Sequence, residues 1–443
     1  MTIPTSDVLA EPLAPVPEPE PPVRGLSPPQ WVRANLASTP LNAALTATIG
    51  AVVAWAVYRL GRWVFVTADW AIVRVNLRLF MVGRFPADEL WRLWVAGYVL
   101  VSTVGLAAGA LSVTVRQPLV PEGDGVAGGP GVAGGTDDAS VPVGLVRRSV
   151  AVVHRFWPLL LAVVVVLGFT RTPLPALGTV GLVVVGTAAW QLGARLPARL
   201  RRWTWLAVVA GVVAALQVII AGEGGVGWDD WGGLHLAIAA TLAGIALAFP
   251  LGLLLALGRR SSLPAMRVVS IGYIEAFRAV PLVTLLFLGS FMIGFLFPTT
   301  VEPPSLLVRA VIAITLFEAA YIAEIVRGGL QAVPRGQIEA AQAVGLPPTK
   351  VMRLVVLPQA LRAVIPAMVG QFISLFKDTS LLFIVGFFEL LRISEAVTLQ
   401  DAFRGQGLRP VALAFVGLIY WAGCSTMSRE SQRLERRLGV GER

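Results

Sequence analysis

The stretch IEAAQAVGLPPTKVMRLVVLPQALRAVIP, residues 338–366, decides how this chain is read. Apolar runs lie on both sides of it, each near the length of about 20 residues that a helix needs to cross a bilayer. The stretch itself is alanine-rich, carries Lys350, Arg353 and Arg362, and holds Gly345 and four prolines. Pro334 suits the first turn of a helix. Gly345 suits the left-handed residue just past a helix end. Pro347 and Pro348 forbid continuation. Thr349 is placed to cap a second short helix that runs to Leu357, where Pro358 stops it. The pattern predicts a short helix, a sharp corner and a second short helix, held at a membrane surface by the flanking spans. A featureless loop, a DNA-reading helix-turn-helix and a docking element for a cytoplasmic partner compete for it. The ordered breakers argue against the first, and the position between two spans argues against the second.

Composition supports the membrane setting. The chain has 443 residues, of which 56% are hydrophobic and only 14% charged, and its mean hydropathy is +0.74. Soluble domains carry about 25% charged residues. The deficit and the apolar runs predict an all-α polytopic membrane protein with about ten transmembrane helices. We place them near 42–66, 93–115, 150–170, 174–192, 203–220, 234–257, 271–297, 308–328, 364–388 and 410–428.

The net charge of +10 is that of many nucleic-acid-binding proteins. Here the arginines collect between apolar runs, so the charge reads as the bias of cytoplasmic loops toward Arg and Lys. Loops 193–202, 258–270 and 329–363 are basic, whereas 221–233 and 298–307 hold no Arg or Lys. Parity then puts the N- and C-termini in the cytoplasm. Residues 67–92 disagree, since Arg74, Arg78, Arg84 and Arg92 fall on the outer side. Either VRVNLRLFMVGRF is an amphipathic helix in the interface, or the span count is off by one in the first third.

Organisation follows composition. Residues 1–30, with nine prolines, read as a disordered tail rather than a signal peptide. Residues 31–115 form an extension with two spans. Residues 116–149 read as a Gly-rich linker in which GVAGG occurs twice. Three further spans occupy 150–222, a core occupies 234–428 with its loop at 331–363, and 429–443 is a basic tail. Cys424 is the lone cysteine, so no intrachain disulfide forms. His154 and His235 are far apart and read as packing residues rather than metal ligands.

Charges inside spans are expensive and face a protein or water-filled interior. Glu318 falls mid-span, as do Lys377 and Asp378. Glu275 and Arg278, and Glu324 and Arg327, are spaced three apart on their helices near the cytoplasmic ends. Each pair reads as a structural ion pair within the bundle. Glu318, Lys377 and Asp378 are candidates to line a path for a solute that bears both signs of charge. No Gly-Lys dipeptide occurs, so no phosphate-binding P-loop is present. A scaffold protein would leave these intramembrane charges unexplained. A secondary transporter driven by an ion gradient stays open, although no corresponding pair of halves with broken helices is evident.

Glu339-Ala340-Ala341, three residues, Gly345, nine residues and then Val355-Val356-Leu357-Pro358 resembles the EAA loop of ABC importer permeases, with valine where isoleucine is commoner. EAAYIAEIVRGGLQAVPRGQIEAA (318–341), QFISLFKDTSLL (371–382), IEAFRAVPL (274–282) and SRESQRLERRLG (428–439) are similar to the polar amino-acid branch of that family. The resemblance covers about 234–443. Residues 31–115 more weakly resemble the N-terminal extension of the larger permeases for general L-amino acids, or for glutamate, glutamine, aspartate and asparagine.

The resemblance implies a type I importer core of five to six helices in a bacterial inner membrane. It dimerises, usually with a homologous second permease, and the long extension favours a heterodimer. Two ATPase subunits lie below and a periplasmic amino-acid-binding protein above. ATP and Mg belong to the ATPase, no cofactor is expected on this chain, and the chain is not itself an enzyme. Besides these proteins it meets membrane lipid and no nucleic acid. Carried over, Glu339, Ala340, Ala341, Gly345, Leu357 and Pro358 form the element that couples to the ATPase.

Overall fold

A computed structural model describes residues 27–114, 156–170, 172–201, 203–221, 225–298 and 300–438. The 116–149 linker with its repeat, His154 and almost all of the 1–30 tail lie outside the described residues. Among those described there are helices and no strands. The chain divides after Ala68 into two units.

The first unit holds α1 (Pro28–Asn35) and α2 (Pro40–Arg62), which a π-turn extends to Thr67. Thr39 caps α2 by accepting from the Asn42 N–H at 3.1 Å, and Pro40 takes the first helical position, where its missing N–H has no partner to lose. No α2 residue is buried, as expected of a helix whose solvent is lipid.

The second unit opens with α3 (Ala71–Val82), α4 (Leu90–Thr114), α5 (Phe156–Gly168), α6 (Leu174–Arg195) and α7 (Thr204–Ile220). Helices α4 and α6 approach backbone to backbone. A Cβ at Gly109 would lie 2.0 Å from the Trp190 carbonyl oxygen, and one at Gly193 would lie 2.0 Å from that of Leu106. Small residues allow such contact in lipid, where apolar burial no longer drives association.

The core follows: α8 (Gly233–Arg259), α9 (Pro264–Ala279), α10 (Leu282–Phe287), α11 (Leu306–Ala332), α12 (Arg335–Ala343), α13 (Leu357–Asp378), α14 (Leu390–Ala396) and α15 (Arg409–Leu438). Helix α11 is the most enclosed. Ile314, Glu318, Ala319, Ala320, Ala323 and Val326 along it are all fully buried. It lies against α8 on one side and α13 on another.

Several expectations need correction. The all-α membrane architecture is as expected; among the described residues, seven helices are long and apolar enough to cross a membrane singly, and a bent pair and two shorter helices occupy the other expected segments. Among the described residues, α5 and α7 are the shorter apolar helices, and the first part of the segment expected at 150–170 lies outside the described residues. The segment expected as one span at 271–297 starts at Pro264 and bends by 106° between α9 and α10. Pro281 causes this, because its ring disfavours a helical Val280 and it offers no N–H to the ladder. The span expected at 364–388 begins earlier, at Leu357, and its α-helix ends at Asp378, followed by a 3₁₀ turn to Phe383. Lys377 and Asp378 therefore sit at a helix end rather than at mid-span.

Residues 71–82 are a helix packed on the core and are not among the candidate spans. Helix α3 has 12 residues, about 18 Å of helix, and buries Ile72, Val73 and Phe80 completely. Phe80 meets Phe415 of α15 edge-on at 5.2 Å, and Asn76 exchanges two side-chain hydrogen bonds with Gln400 at 3.1 and 2.7 Å. Gly83, at φ +64°, abuts the Gly232 backbone. These contacts put α3 at the end of the core remote from α12. Two of the loop arginines have structural partners. Arg92 donates to the Val218 and Ala221 carbonyls at 2.8 and 2.9 Å, closing the end of α7, and Arg84 lies 3.9 Å over the Phe388 ring.

Candidate functional site

The corner forms as its residues dictate, with one change. Helix α12 ends in a paired closure, in which the Leu346 N–H donates to the Ala341 carbonyl at 3.2 Å and the Gly345 N–H to that of Gln342 at 2.9 Å. Gly345 has φ +82°, the left-handed conformation this closure requires. Thr349 caps nothing; Pro347 precedes the next turn, Pro348–Lys350, and a π-turn spans Val351–Val356. Pro358 does not stop a helix. It takes the second position of α13, where a missing N–H leaves no hydrogen bond broken, and α13 runs on for 22 residues.

Only two residues, Val333 and Pro334, separate α11 from α12, and both have extended backbones. Glu339, Ala340, Gln342 and Ala343 of α12 are exposed, whereas Ala341 is buried in the chain's own core, beside Leu346 and Val351. Leu357 is half-buried and Pro358 exposed. Val344 beyond the helix is 76% exposed and Leu354 60%. The corner thus holds one side of α12 down and offers the side bearing Glu339, Ala340 and Ala343.

Above it, the inner ends of three helices meet at Glu324. Arg259 of α8 reaches Glu324 at 3.3 Å and Glu275 of α9 at 3.4 Å. Arg278 of α9 lies 3.9 Å from Glu324, and the Arg327 Nε donates to Glu324 at 2.7 Å. Glu324 and Arg327 pair as their spacing predicts. Glu275 and Arg278 do not pair with each other: each joins a different partner, because both project toward neighbouring helices. Arg260 adds a hydrogen bond to the Leu330 carbonyl at 3.2 Å.

Deeper in the bundle, Glu318 is 0% exposed. Its Oε2 accepts from the Gln371 amide of α13 at 2.9 Å, and among the described residues its Oε1 has no partner. The hydroxyl of Thr315, one turn earlier on α11, likewise has none. Buried polar atoms are paired in the great majority of cases, so this pair of atoms marks a place for something polar. Asp378 is half-buried, two turns beyond Gln371 on the same side of α13. Lys377 is exposed and, among the described residues, forms no ion pair with Asp378. The structure therefore brings Glu318 and Gln371 together with Thr315 nearby and leaves Lys377 at the edge.

Beyond the last turn of α13, Glu389 is 0% exposed and caps α14 by accepting from the Arg392 N–H at 2.8 Å. Burial pushes its carboxyl up to about 7, against the opposing pull of the Leu391 and Arg392 N–H groups. Sequence reasoning missed Gln371, Thr315 and Arg259. Gln371 and Thr315 were accessible from spacing, at seven residues from Asp378 and three from Glu318. Arg259 was not, since nothing local tells that the end of α8 meets α11.

A multi-pass helical bundle with a buried polar stripe inside and a rigid exposed corner at one end has the build of a membrane transport component worked by a second protein. Comparison with known proteins says which. Residues 248–440 match the family described as binding-protein-dependent transport system inner membrane component. The glutamate/glutamine/aspartate/asparagine transport system permease protein BztC of Rhodobacter capsulatus is 35% identical over 98% of both chains. The inner membrane amino-acid ABC transporter permease protein YhdY of Escherichia coli K12 is 47% identical over 48% of this chain and 57% of its own. The glutamate/aspartate import permease protein GltK of Escherichia coli O6:H1 is 32% identical over 46% of this chain and 91% of its own.

The chain belongs to the family of inner-membrane permease components of binding-protein-dependent, ABC-type transport systems, and it is a multi-pass inner-membrane protein. Membership selects the ATP-driven reading over the ion-coupled one.

Proposed function

We propose that this chain is the permease subunit of an importer that carries polar L-amino acids across a bacterial inner membrane, with energy from separate ATPase subunits. The observation that carries this reading is the corner at 335–356, fixed to the core by Ala341 and Val351 and joined to α11 by two stiff residues. A push on the exposed side of α12 passes directly into the helix that holds Glu324 and Glu318. The names of the relatives support the amino-acid cargo.

In this reading Glu339, Ala340, Gly345, Leu357 and Pro358 build the surface that meets the ATPase, and Ala341 anchors it. Glu318, with Gln371 and Thr315, lies on the path, and its free carboxylate oxygen suits a substrate ammonium. Asp378 stands further along, and Lys377 supplies the opposite sign at the edge for a carboxylate. Two ATPases, which hold ATP and Mg, a second and different permease, and a periplasmic binding protein complete the assembly. This chain contributes no catalytic group, and both of its termini are cytoplasmic. Affinity purification of the assembly tests the reading. The expected result is recovery of an ATPase, a second permease and an amino-acid-binding protein in the eluate. Recovery of this chain alone, under conditions that preserve other membrane complexes, would count against it.

A further inference from the structure

Between α5, one of the three additional helices that precede the core, and the core helices α8 and α15 lies a cavity of about 430 Å³. Val163, Val166, Ile238, Ile419 and Gly423 are among the residues that line it. Three threonines also reach it, but their hydroxyl protons are already used. Thr179 donates to the Pro175 carbonyl, Thr241 to that of Ala237 and Thr426 to that of Ala422, each at 2.7 Å. The cavity walls are therefore mostly apolar with the threonine donors spent on the helices, so a polar solute entering it would lose more hydrogen bonds than it regains.

One end of the space carries a cation. Ala422 lines the cavity, and Arg429 lies seven residues on, along the same side of α15. Its guanidinium sits 4.7 Å over the Trp157 ring, and Trp157 lies 5.4 Å from Trp421. Among the described residues Arg429 forms no ion pair. Aromatic rings beside a lone arginine at the end of an apolar space match the two ends of one ligand, a phosphate at the membrane surface and a hydrocarbon chain below it.

We propose that this cavity holds one acyl chain of an anionic phospholipid, with its phosphate at Arg429, and so seats α5 against the core. The charge and the self-satisfied hydroxyls favour this occupant over a free solute. Its weight in binding divides into an apolar part, which grows with each buried methylene, and a charged part of about fivefold in affinity from one arginine at an anionic surface.

The test uses the full chain in vesicles of phosphatidylglycerol and phosphatidylcholine, doped with phosphatidylglycerol that carries a diazirine on its acyl chain. Adducts are mapped after illumination. Adducts concentrated on residues 159–167 and 419–427 are expected. Ala162→Phe, which projects a ring into the cavity, should remove them while adducts on the lipid-facing Val180, Val183 and Val184 stay. Arg429→Gln should weaken cavity labelling by phosphatidylglycerol about fivefold and leave unchanged the labelling by phosphatidylcholine that carries the same diazirine in a parallel experiment. Even labelling of all apolar faces would overturn the proposal. So would cavity labelling indifferent to Ala162→Phe, or equal for the two headgroups in the unaltered chain. If Ala162→Phe fails to fold, the headgroup comparison and Arg429→Gln decide alone.

Discussion

At the scale of residues, the account turns on Glu318. It is a fully buried carboxyl with one oxygen bonded to Gln371 and the other, among the described residues, unpartnered, which on the proposed function leaves that oxygen for a substrate. Glu318→Gln preserves shape and can keep the contact with Gln371, but removes the charge. A charge-assisted hydrogen bond to a substrate ammonium contributes about 1.5–3 kcal/mol, so uptake by the assembled transporter should fall by about tenfold or more. Nucleotide hydrolysis by the partner should continue, because α12 is untouched. Uptake equal to that of the unaltered chain would remove Glu318 from the path. Lys377, exposed and without an ion pair among the described residues, has a weaker claim than sequence alone gave it, since its helix ends where an unbroken span was expected.

At the scale of elements, the sequence was most informative where the backbone chemistry is local. Gly345 and the prolines around it announced the corner, and the helix end at Gly345 forms as they imply. Pro358 was read in the wrong sense. A proline stops a helix that approaches from its N-terminal side, but begins one equally well, and only the π-turn at Val351–Val356 shows which applies. The bend at Pro281 was written in the sequence as well, but the apolar run across it hid the signal. Helix α3 was illegible for a different reason. Its buried face answers to Phe415, Gln400 and Gly232, which are distant in sequence, so its amphipathic pattern fitted a membrane surface equally well.

The corner yields a prediction at its own scale. A Cβ at Gly345 meets nothing within 4 Å, so Gly345→Val is opposed by backbone conformation and not by crowding. A non-glycine residue in the left-handed region costs about 1–2 kcal/mol. That is enough to distort the closure without unfolding the bundle. The variant should reach the membrane in normal amounts and lose coupling, measured as uptake per ATP hydrolysed by the assembled transporter. Unchanged coupling would show that the angle at Gly345 is not what α12 needs.

At the scale of the whole molecule, the second unit is a permease core with α3 to α7 packed onto it. GltK matches less than half of this chain while almost all of its own length is covered, and α3 to α7 precede residues 248–440, which match the family. They do not stand apart from the core. Helix α3 is buried at the end remote from α12, and α5 encloses the apolar cavity with α8 and α15. Trimming the extension would expose Phe415 and the Gly232 backbone, among other core surfaces. The ion pairs at Glu324 tie α8, α9 and α11 at the opposite end, where the proposed function has a push from α12 first arrive.

The most direct measurement is amino-acid uptake into sealed vesicles that contain this chain, its second permease and the binding protein, with and without the ATPase subunits and ATP. Uptake that requires both the ATPase and ATP is the predicted result. Concentrative uptake by vesicles that lack the ATPase would contradict the account, because the exposed corner at 335–356 would then have nothing to receive.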